Sequence, residues 1–215
     1  MGKLILASNS PRRSELLGLL GRPFTVSPAN IDEEQHAGEP PVAYVRRLAR
    51  EKAFAVAESA HGLVIAADTI VVDEGVLLGK PADPAEARQM LQQLRGRTHQ
   101  VYTGIAILDT RIGQLYEDIC CTDVPMRDYT DAEIEAYIES GDPFDKAGAY
   151  GIQNPDFHPV EGLQGCYASV MGFPLCHLAV GLRQFGQDVP EDLPDRCQAA
   201  LGYRCPVYRA ILGRD

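Results

Sequence analysis

The chain has 215 residues, 45% of them hydrophobic, with 30 acidic against 20 basic side chains and a formal net charge of −10. That length and apolar share suit one compact soluble unit with a full core, and the charge argues against non-specific binding to DNA or RNA, which rests on neutralising phosphates with many cations. No apolar run approaches the roughly 20 residues of a membrane span, and the short apolar segment after Met1-Gly2-Lys3 falls below signal-peptide length, so a cytoplasmic location is expected.

The segment Leu4-Ile5-Leu6-Ala7 reads as a short buried strand, and Ser14 to Leu20 carries apolar residues at helical spacing. Between them lies Ser8-Asn9-Ser10-Pro11-Arg12-Arg13. Ser10 fits the N-cap and Pro11 the first helical position, where its missing N–H costs nothing. Arg12 and Arg13 then occupy a first turn whose dipole disfavours cations. Two readings are open: a phosphate site built from backbone N–H groups, the Ser8 and Ser10 hydroxyls and two guanidiniums, or an ordinary capped helix with arginines in solvent.

Pro23 to Ser27 reads as a second strand and Asn30-Ile31-Asp32-Glu33-Glu34 as an acidic loop. Pro40-Pro41 opens a helix to about Ser59, with Val42, Val45, Leu48, Ala49, Ala53 and Val56 on its inner face. Arg46, Arg47, Arg50 and Lys52 line this helix, a pattern that a solvated face explains as well as an anion site does. Leu63 to Val72 is a β-forming run closed by the hairpin-like turn Asp73-Glu74-Gly75. Asp68 shares its strand face with Val64, Ala66, Ile70 and Val72, and a carboxylate among aliphatic neighbours needs a partner or a metal. The small Ala66 and Ala67 are expected to let a ligand group approach. Gly79-Lys80-Pro81 follows; its spacing from Gly75 and its proline exclude a P-loop, although Lys80 can still present a point charge to phosphate.

Asp83 caps a helix over Pro84 to Leu94, and Val101 to Leu108 pairs with Leu115 to Val124 around Gly113. Thr130-Asp131-Ala132-Glu133 has the form of a capping box for a helix ended by Gly141. In the glycine-rich stretch from Gly141 to Gln153, Asp145 and Lys146 can form an ion pair or hold a metal and a phosphate, while Gln153 offers a donor and an acceptor for a base edge. A helix from about Pro174 to Phe185 closes the unit. These elements predict an α/β fold with a mixed, twisted β-sheet flanked by helices, because the two hairpins require antiparallel pairs.

Taken together, Ser8 to Arg13, Ala66-Ala67-Asp68-Thr69, Gly79-Lys80-Pro81, His99-Gln100-Val101-Tyr102-Thr103-Gly104 and Asp145 to Gln153 resemble, in order, the motifs of the Maf family of nucleoside triphosphate pyrophosphatases. The resemblance covers residues 3 to 185. It implies a deep substrate cleft of the Maf/ITPase kind, and hydrolysis of a nucleoside triphosphate to the monophosphate and pyrophosphate with a divalent metal, Mg²⁺ being expected for hard oxygen ligands. It also implies Asp68 as proton acceptor, Arg12, Thr69 and Gln153 at positions tied to base choice, and Glu33, Lys52 and Lys80 lining the cleft. Asp68-Thr69 and the Gly151-Ile152-Gln153 ending look like the branch acting on dTTP and UTP. On this basis Asp68, Glu33 and Lys80 are the candidate catalytic residues, and Glu33 and Asp68 the candidate metal ligands, with ligand and base left unassigned between those two. Ser8, Ser10, Arg12, Arg13, Lys52, Thr69, Lys146 and Gln153 are the candidate substrate-binding residues. Other modified nucleotides such as 7-methyl-GTP, or a nucleotide-binding role in cell division without turnover, are the alternatives. A homodimer is a family expectation.

Asp142, Asn154 and the stretch from Cys166 to Pro174 depart from the family's commoner residues. Residues 186 to 215 lie beyond the resemblance, and Cys197 and Cys205 are expected there as free thiols packed on the main domain, because cytoplasmic thiols are usually reduced. Cys120, Cys121 and Cys176 read as structural, and His99 as a core or hydrogen-bonding residue. His36, His61, His158 and His177 carry no signal.

Overall fold

A computed structural model describes residues 2–213; Met1 and the last two residues of the C-terminal extension lie outside the described residues. The first strand, β1 (Leu4–Leu6), leads into α1 (Pro11–Gly18) and β2 (Phe24–Val26), and after the acidic loop come α2 (Pro41–Ala57) and the long β3 (Leu63–Asp73). β4 (Val76–Leu78), α3 (Pro84–Leu94), β5 (Thr98–Asp109), β6 (Gln114–Pro125) and α4 (Asp131–Glu139) follow. Two 3₁₀ turns, Asp142–Asp145 and Ala147–Ala149, precede α5 (Tyr167–Val170), α6 (Leu175–Gln184), α7 (Leu193–Leu201) and α8 (Tyr208–Leu212).

The sheet runs β2-β1-β3-β5-β6, with β4 also on β3. Both pairs of β1 are parallel, and the β3–β4, β3–β5 and β5–β6 pairs are antiparallel, so the sheet is mixed as the hairpins predict. β5 follows β3 from Leu63 to Val72, but on the other edge β1 pairs only residues 63–65 and β4 only residues 71–73. Between those partners the β3 edge from Ala66 to Ile70 is left open. The opening lies beyond the carboxyl end of β1, where the chain leaves in one direction toward β2 while the sheet continues in the other through β3, the kind of break at which open α/β sheets bind ligands.

Strand alternation sends β3 side chains to two different layers. Val64 and Ala66 pack with Ala49, Ala53 and Val56 of α2, and Ile70 and Val72 with Tyr44, Val45 and Leu48. On the opposite face Leu63, Ile65 and Ala67 meet Leu16 and Leu17 of α1 and Leu175, Leu178 and Leu182 of α6. Val71 instead joins Leu91 of α3, Ile134 of α4 and Tyr150. The same core layer that holds α1 and α6 takes in Val189 and Leu193, so the start of the extension is packed into the main body.

Two expectations need correction. Val42 is 40% exposed, and the inner face of α2 carries Tyr44 and Lys52 in its place. The helix starts at Pro41, and its buried stripe follows i, i+4, i+8 from Tyr44 through Leu48 to Lys52, leaving Val42 on the rim. Ala66 and Ala67 are fully buried members of the two core layers and offer no surface to a ligand. The close approach near Asp68 is made by Gly104, its cross-strand partner on β5. A Cβ at Gly104 would lie 2.8 Å from the Val45 carbonyl oxygen, so this glycine lets α2 press its backbone against the sheet.

Candidate active site

A cleft of about 620 Å³ opens at the uncovered edge of β3. Asp68 and Thr69 form its floor with their side chains on opposite faces of the strand, so each recruits a different wall.

Thr69 looks toward α1. Ser10 caps that helix, its hydroxyl accepting from the Arg13 backbone N–H, and Pro11 occupies the first turn, which contains no acidic residue. The positive end of the helix therefore faces the cleft without a carboxylate to compete for it. Arg13 turns back over the strand: its Nε donates to the Gly172 carbonyl at 3.0 Å, Nη1 to Ser8 Oγ at 3.3 Å and Nη2 to Thr69 Oγ1 at 3.4 Å. Thr103, opposite Thr69 in the sheet register, gives its proton to the Ser169 carbonyl at 2.8 Å. The 3.0 Å contact between the two threonine hydroxyls must then use the Thr69 proton, because each hydroxyl has only one. The result is a directed chain from Arg13 through Thr69 and Thr103 to Ser169. Burial pulls the Arg13 pKa below its ordinary value and Arg12 adds to this, while Asp68 and Glu33 oppose it. The guanidinium stays charged, and its weak hydration makes it receptive to an anion.

Asp68 looks toward α2. Lys52 Nζ lies 2.5 Å from Asp68 Oδ1 and 2.7 Å from Glu33 Oε1, with the Lys52 and Asp68 side chains only 9% and 10% exposed. Two carboxylates thus share one ammonium and leave a net negative charge on this wall. Tyr44, two turns before Lys52 on the same helix face, donates its hydroxyl proton to the Glu33 carbonyl at 2.6 Å and pins the acidic loop over the cleft. Burial raises the Tyr44 pKa, with Asp68 and Glu33 raising it further, so the phenol remains a donor.

The far wall is the loop from Asp142 to Gln153, joined to the Lys80 loop by the Gly148 N–H donating to the Gly79 carbonyl at 2.9 Å. Lys80 is exposed and lines the cleft with Gln153. Asp145 reaches across to Arg12, Oδ2 to Nη1 at 3.3 Å, so the loop and the start of α1 meet above the opening.

Lys146 lines the cleft and takes the ion-pair role with Asp145 that the sequence offered. Its ammonium is buried and donates to the Asp142 carbonyl at 2.6 Å, to Asp142 Oδ1 at 2.8 Å and to Asp145 Oδ1 at 2.6 Å. Those contacts use all three of its donors, which makes Lys146 a brace for the loop. Asp142 and Asn154 are partners here: Asn154 Nδ2 donates to Asp142 Oδ2 at 3.1 Å, and Tyr137 donates its hydroxyl to the same oxygen at 2.7 Å.

Lys146 and the remaining expected residues, Ser8, Ser10, Arg12, Arg13, Glu33, Lys52, Asp68, Thr69, Lys80 and Gln153, all line this one cleft. Sequence patterns missed Tyr44, Thr103, Asp145 as the partner of Arg12, and Gly172. For Tyr44 a signal existed, since it precedes Lys52 by eight residues and Leu48 by four. The others depend on pairings between distant segments. His99 is buried as a hydrogen-bonding core residue, its Nε2 2.8 Å from the Tyr150 hydroxyl, and burial lowers its pKa to about 4 against the opposing pull of Asp73.

Known proteins share much of this sequence. The profile described as "Maf: Maf-like protein" matches residues 3–185. The dTTP/UTP pyrophosphatase of Moorella thermoacetica is 50% identical over 190 residues, covering 88% of this chain and 98% of that protein. The dTTP/UTP pyrophosphatase of Citrifermentans bemidjiense is 49% identical over 185 residues, covering 85% of this chain and 95% of that one. A solved HAM1 protein from Coxiella burnetii aligns with 86% of this chain and 100% of its own at 18% identity and a TM-score of 0.48, too distant to bear on the site. With a profile spanning most of the chain and relatives near half identity along almost their whole length, the chain belongs to the Maf family.

Proposed function

We propose that the protein hydrolyses nucleoside triphosphates, with dTTP and UTP preferred, to the monophosphate and pyrophosphate by attack of water on the α-phosphorus. One observation carries this reading: an acid wall, Asp68 and Glu33 on Lys52, faces a cationic wall of Arg12, Arg13 and the open end of α1 across one cleft. The names borne by the similar proteins of Moorella and Citrifermentans support the pyrimidine preference.

In this reading the triphosphate lies along α1 with Arg13 and Lys80 on its phosphates. Ser8 and Thr69 orient Arg13, so its charge is already in place when negative charge grows on the leaving pyrophosphate. Asp68 accepts the proton of the attacking water, the new P–O bond forms on the α-phosphorus, and the bond to the bridging oxygen breaks as pyrophosphate leaves. Lys52 positions Asp68 for that step. The Asp142–Gln153 loop, braced by Lys146, presents Gln153 to the base, and the Arg12–Asp145 contact spans the opening.

Glu33 and Asp68 suit a divalent metal as donors: both are hard oxygen ligands, they converge on one lysine with net negative charge, and Mg²⁺ is commonly held by one or two carboxylates plus substrate phosphates. Among the described residues no group of three or more His, Cys, Asp or Glu forms a closed protein cage. When bound, Mg²⁺ would supply Lewis acidity and neutralise phosphate charge. A cytoplasmic location and a homodimer complete the reading; among the described residues no helix is long and apolar enough to cross a membrane.

The test is pyrophosphate release from dTTP, UTP, CTP, the purine triphosphates and 7-methyl-GTP, with Mg²⁺ and with chelator. Pyrophosphate from dTTP and UTP in preference to the others is expected. Preference for 7-methyl-GTP, or binding without turnover, would replace this reading.

A further inference from the structure

All six cysteines are free thiols, and four of them, Cys166, Cys176, Cys197 and Cys205, line one small apolar pocket under α7 and α8, away from the cleft. Within it the chain segments are tightly matched. The Tyr203 hydroxyl lies 3.0 Å from the carbonyls of both Leu163 and Gly165, and the Cys205 backbone N–H donates to Gln198 Oε1 at 3.1 Å. Cys205 Sγ lies 4.0 Å from the Gly165 carbonyl oxygen, which places it beside the next residue, Cys166. Both cysteines line the pocket, and Cys166 packs in the same core layer as Cys120 of β6. Cys197, the partner that chain proximity alone would pick, faces the same pocket from α7.

The two sulfurs differ in character. Cys205 is half-buried on the segment between α7 and α8, whereas Cys166 is buried. The Cys166 thiol holds the Cys205 pKa below its ordinary value against burial, assisted by the backbone N–H groups of Val207 and Tyr208. A half-buried thiol sharing a pocket with a second, shielded thiol is the arrangement that traps an oxidised sulfur as a disulfide before over-oxidation.

We propose that Cys205 and Cys166 form a reversible redox pair: hydrogen peroxide oxidises Cys205, and Cys166 resolves it to a disulfide that ties the C-terminal extension to the main domain. In the first step the Cys205 thiolate attacks the peroxide, an S–O bond forms, the O–O bond breaks and hydroxide leaves, taking a proton to become water. In the second the Cys166 sulfur attacks the sulfenic sulfur and loses its proton, the S–S bond forms, and the departing hydroxide takes up that proton as water. Two thiols and one peroxide become one disulfide and two waters, the sulfurs losing the two electrons that the peroxide gains, and a dithiol reductant reverses the reaction. The bond would anchor the start of the Cys166–Gly172 segment, whose carbonyls at Ser169 and Gly172 hold Thr103 and Arg13. The proposal is independent of which nucleotide the cleft accepts.

The full-length protein would be treated with hydrogen peroxide, alkylated, digested and read by mass spectrometry alongside thermal melting. A Cys166–Cys205 cross-linked peptide that dithiothreitol removes is expected, with a melting temperature raised on the order of 10 °C by closure of the intervening loop. Cys205→Ser should abolish both effects while leaving turnover of the reduced protein unchanged, and Cys197→Ser should leave both intact. A Cys197–Cys205 or Cys120–Cys166 cross-link in the wild type, a sulfinic acid at Cys205 without a cross-link, or no oxidation at either residue would overturn the proposal.

Discussion

Lys52 and Asp68 meet at 2.5 Å across the interface of α2 and β3, and Glu33 reaches the same ammonium at 2.7 Å. A buried ion pair gains little net stability, because desolvation offsets most of its Coulomb energy, so stability alone does not explain this one. Its effect is to hold the Asp68 carboxylate, already oriented, at the open edge of a sheet.

Removing the ammonium should therefore harm both folding and turnover, by separable routes. Lys52→Met leaves Asp68 buried without its partner, with an expected loss of about 3 kcal/mol in stability and a fall in kcat/KM of at least about tenfold. Lys52→Met combined with Asp68→Asn should recover much of the stability and none of the activity. Thermal melts and kinetics on the two variants check this: wild-type kcat/KM in folded Lys52→Met would remove Lys52 from the role of positioning Asp68, and recovered activity in the double variant would contradict Asp68 as proton acceptor.

Gly104 sets the distance between those partners. In Gly104→Ala the new Cβ would sit 2.8 Å from the Val45 carbonyl oxygen, a backbone atom that cannot swing aside. The helix must lift, with an expected cost of about 1–3 kcal/mol from overpacking and a lower kcat as Lys52 moves away from Asp68. An Ala variant with wild-type melting and kinetics would contradict the close approach of α2.

Stability should fall on mild acidification because of His99. Its folded-state pKa, about 4, lies below the 6.5 of the unfolded chain, so between those values the unfolded state binds the extra proton. The neutral ring's contribution, about 3 kcal/mol, is fully present above pH 6.5 and is lost as pH falls toward 4. His99→Gln should flatten this part of the profile in denaturant titrations at several pH values. An unchanged slope would show that His99 titrates normally.

Much of the fold was legible in the sequence because it rests on local signals. Ser10, Asp83 and Thr130 cap the helices they were expected to cap, Gly141 ends α4 with φ 77°, and both hairpins pair as their alternation requires. Asp68 was conspicuous because a carboxylate on an aliphatic strand face demands a partner. That Lys52 would be the partner depended on the phase of α2, which the assignment of Val42 to the inner face had obscured. Lys146 followed the same limit from the other side: its adjacency to Asp145 was visible, but the return of Asp142 to the same ammonium depends on a 3₁₀ turn that periodicity does not reveal. The meeting of Cys166 and Cys205 in one pocket joins two segments whose packing no local pattern encodes.

The cap of α4 offers a control distant from the chemistry. Thr130 Oγ1 accepts from the Glu133 backbone N–H and Glu133 Oε2 accepts from the Thr130 N–H, a complete capping box. Thr130→Ala should cost about 1 kcal/mol, lowering the melting temperature by about 2–4 °C with kcat/KM unchanged. Lost activity in a folded Thr130→Ala protein would mean that α4 influences the cleft beyond its packing.

The most direct measurement compares pyrophosphate release from dTTP and UTP by the wild type and Asp68→Asn, with nucleotide affinity followed in parallel by calorimetry. If Asp68 takes the proton of the attacking water, the variant loses about 10²-fold or more in kcat while still binding nucleotide. Wild-type turnover in a folded Asp68→Asn protein would contradict that assignment.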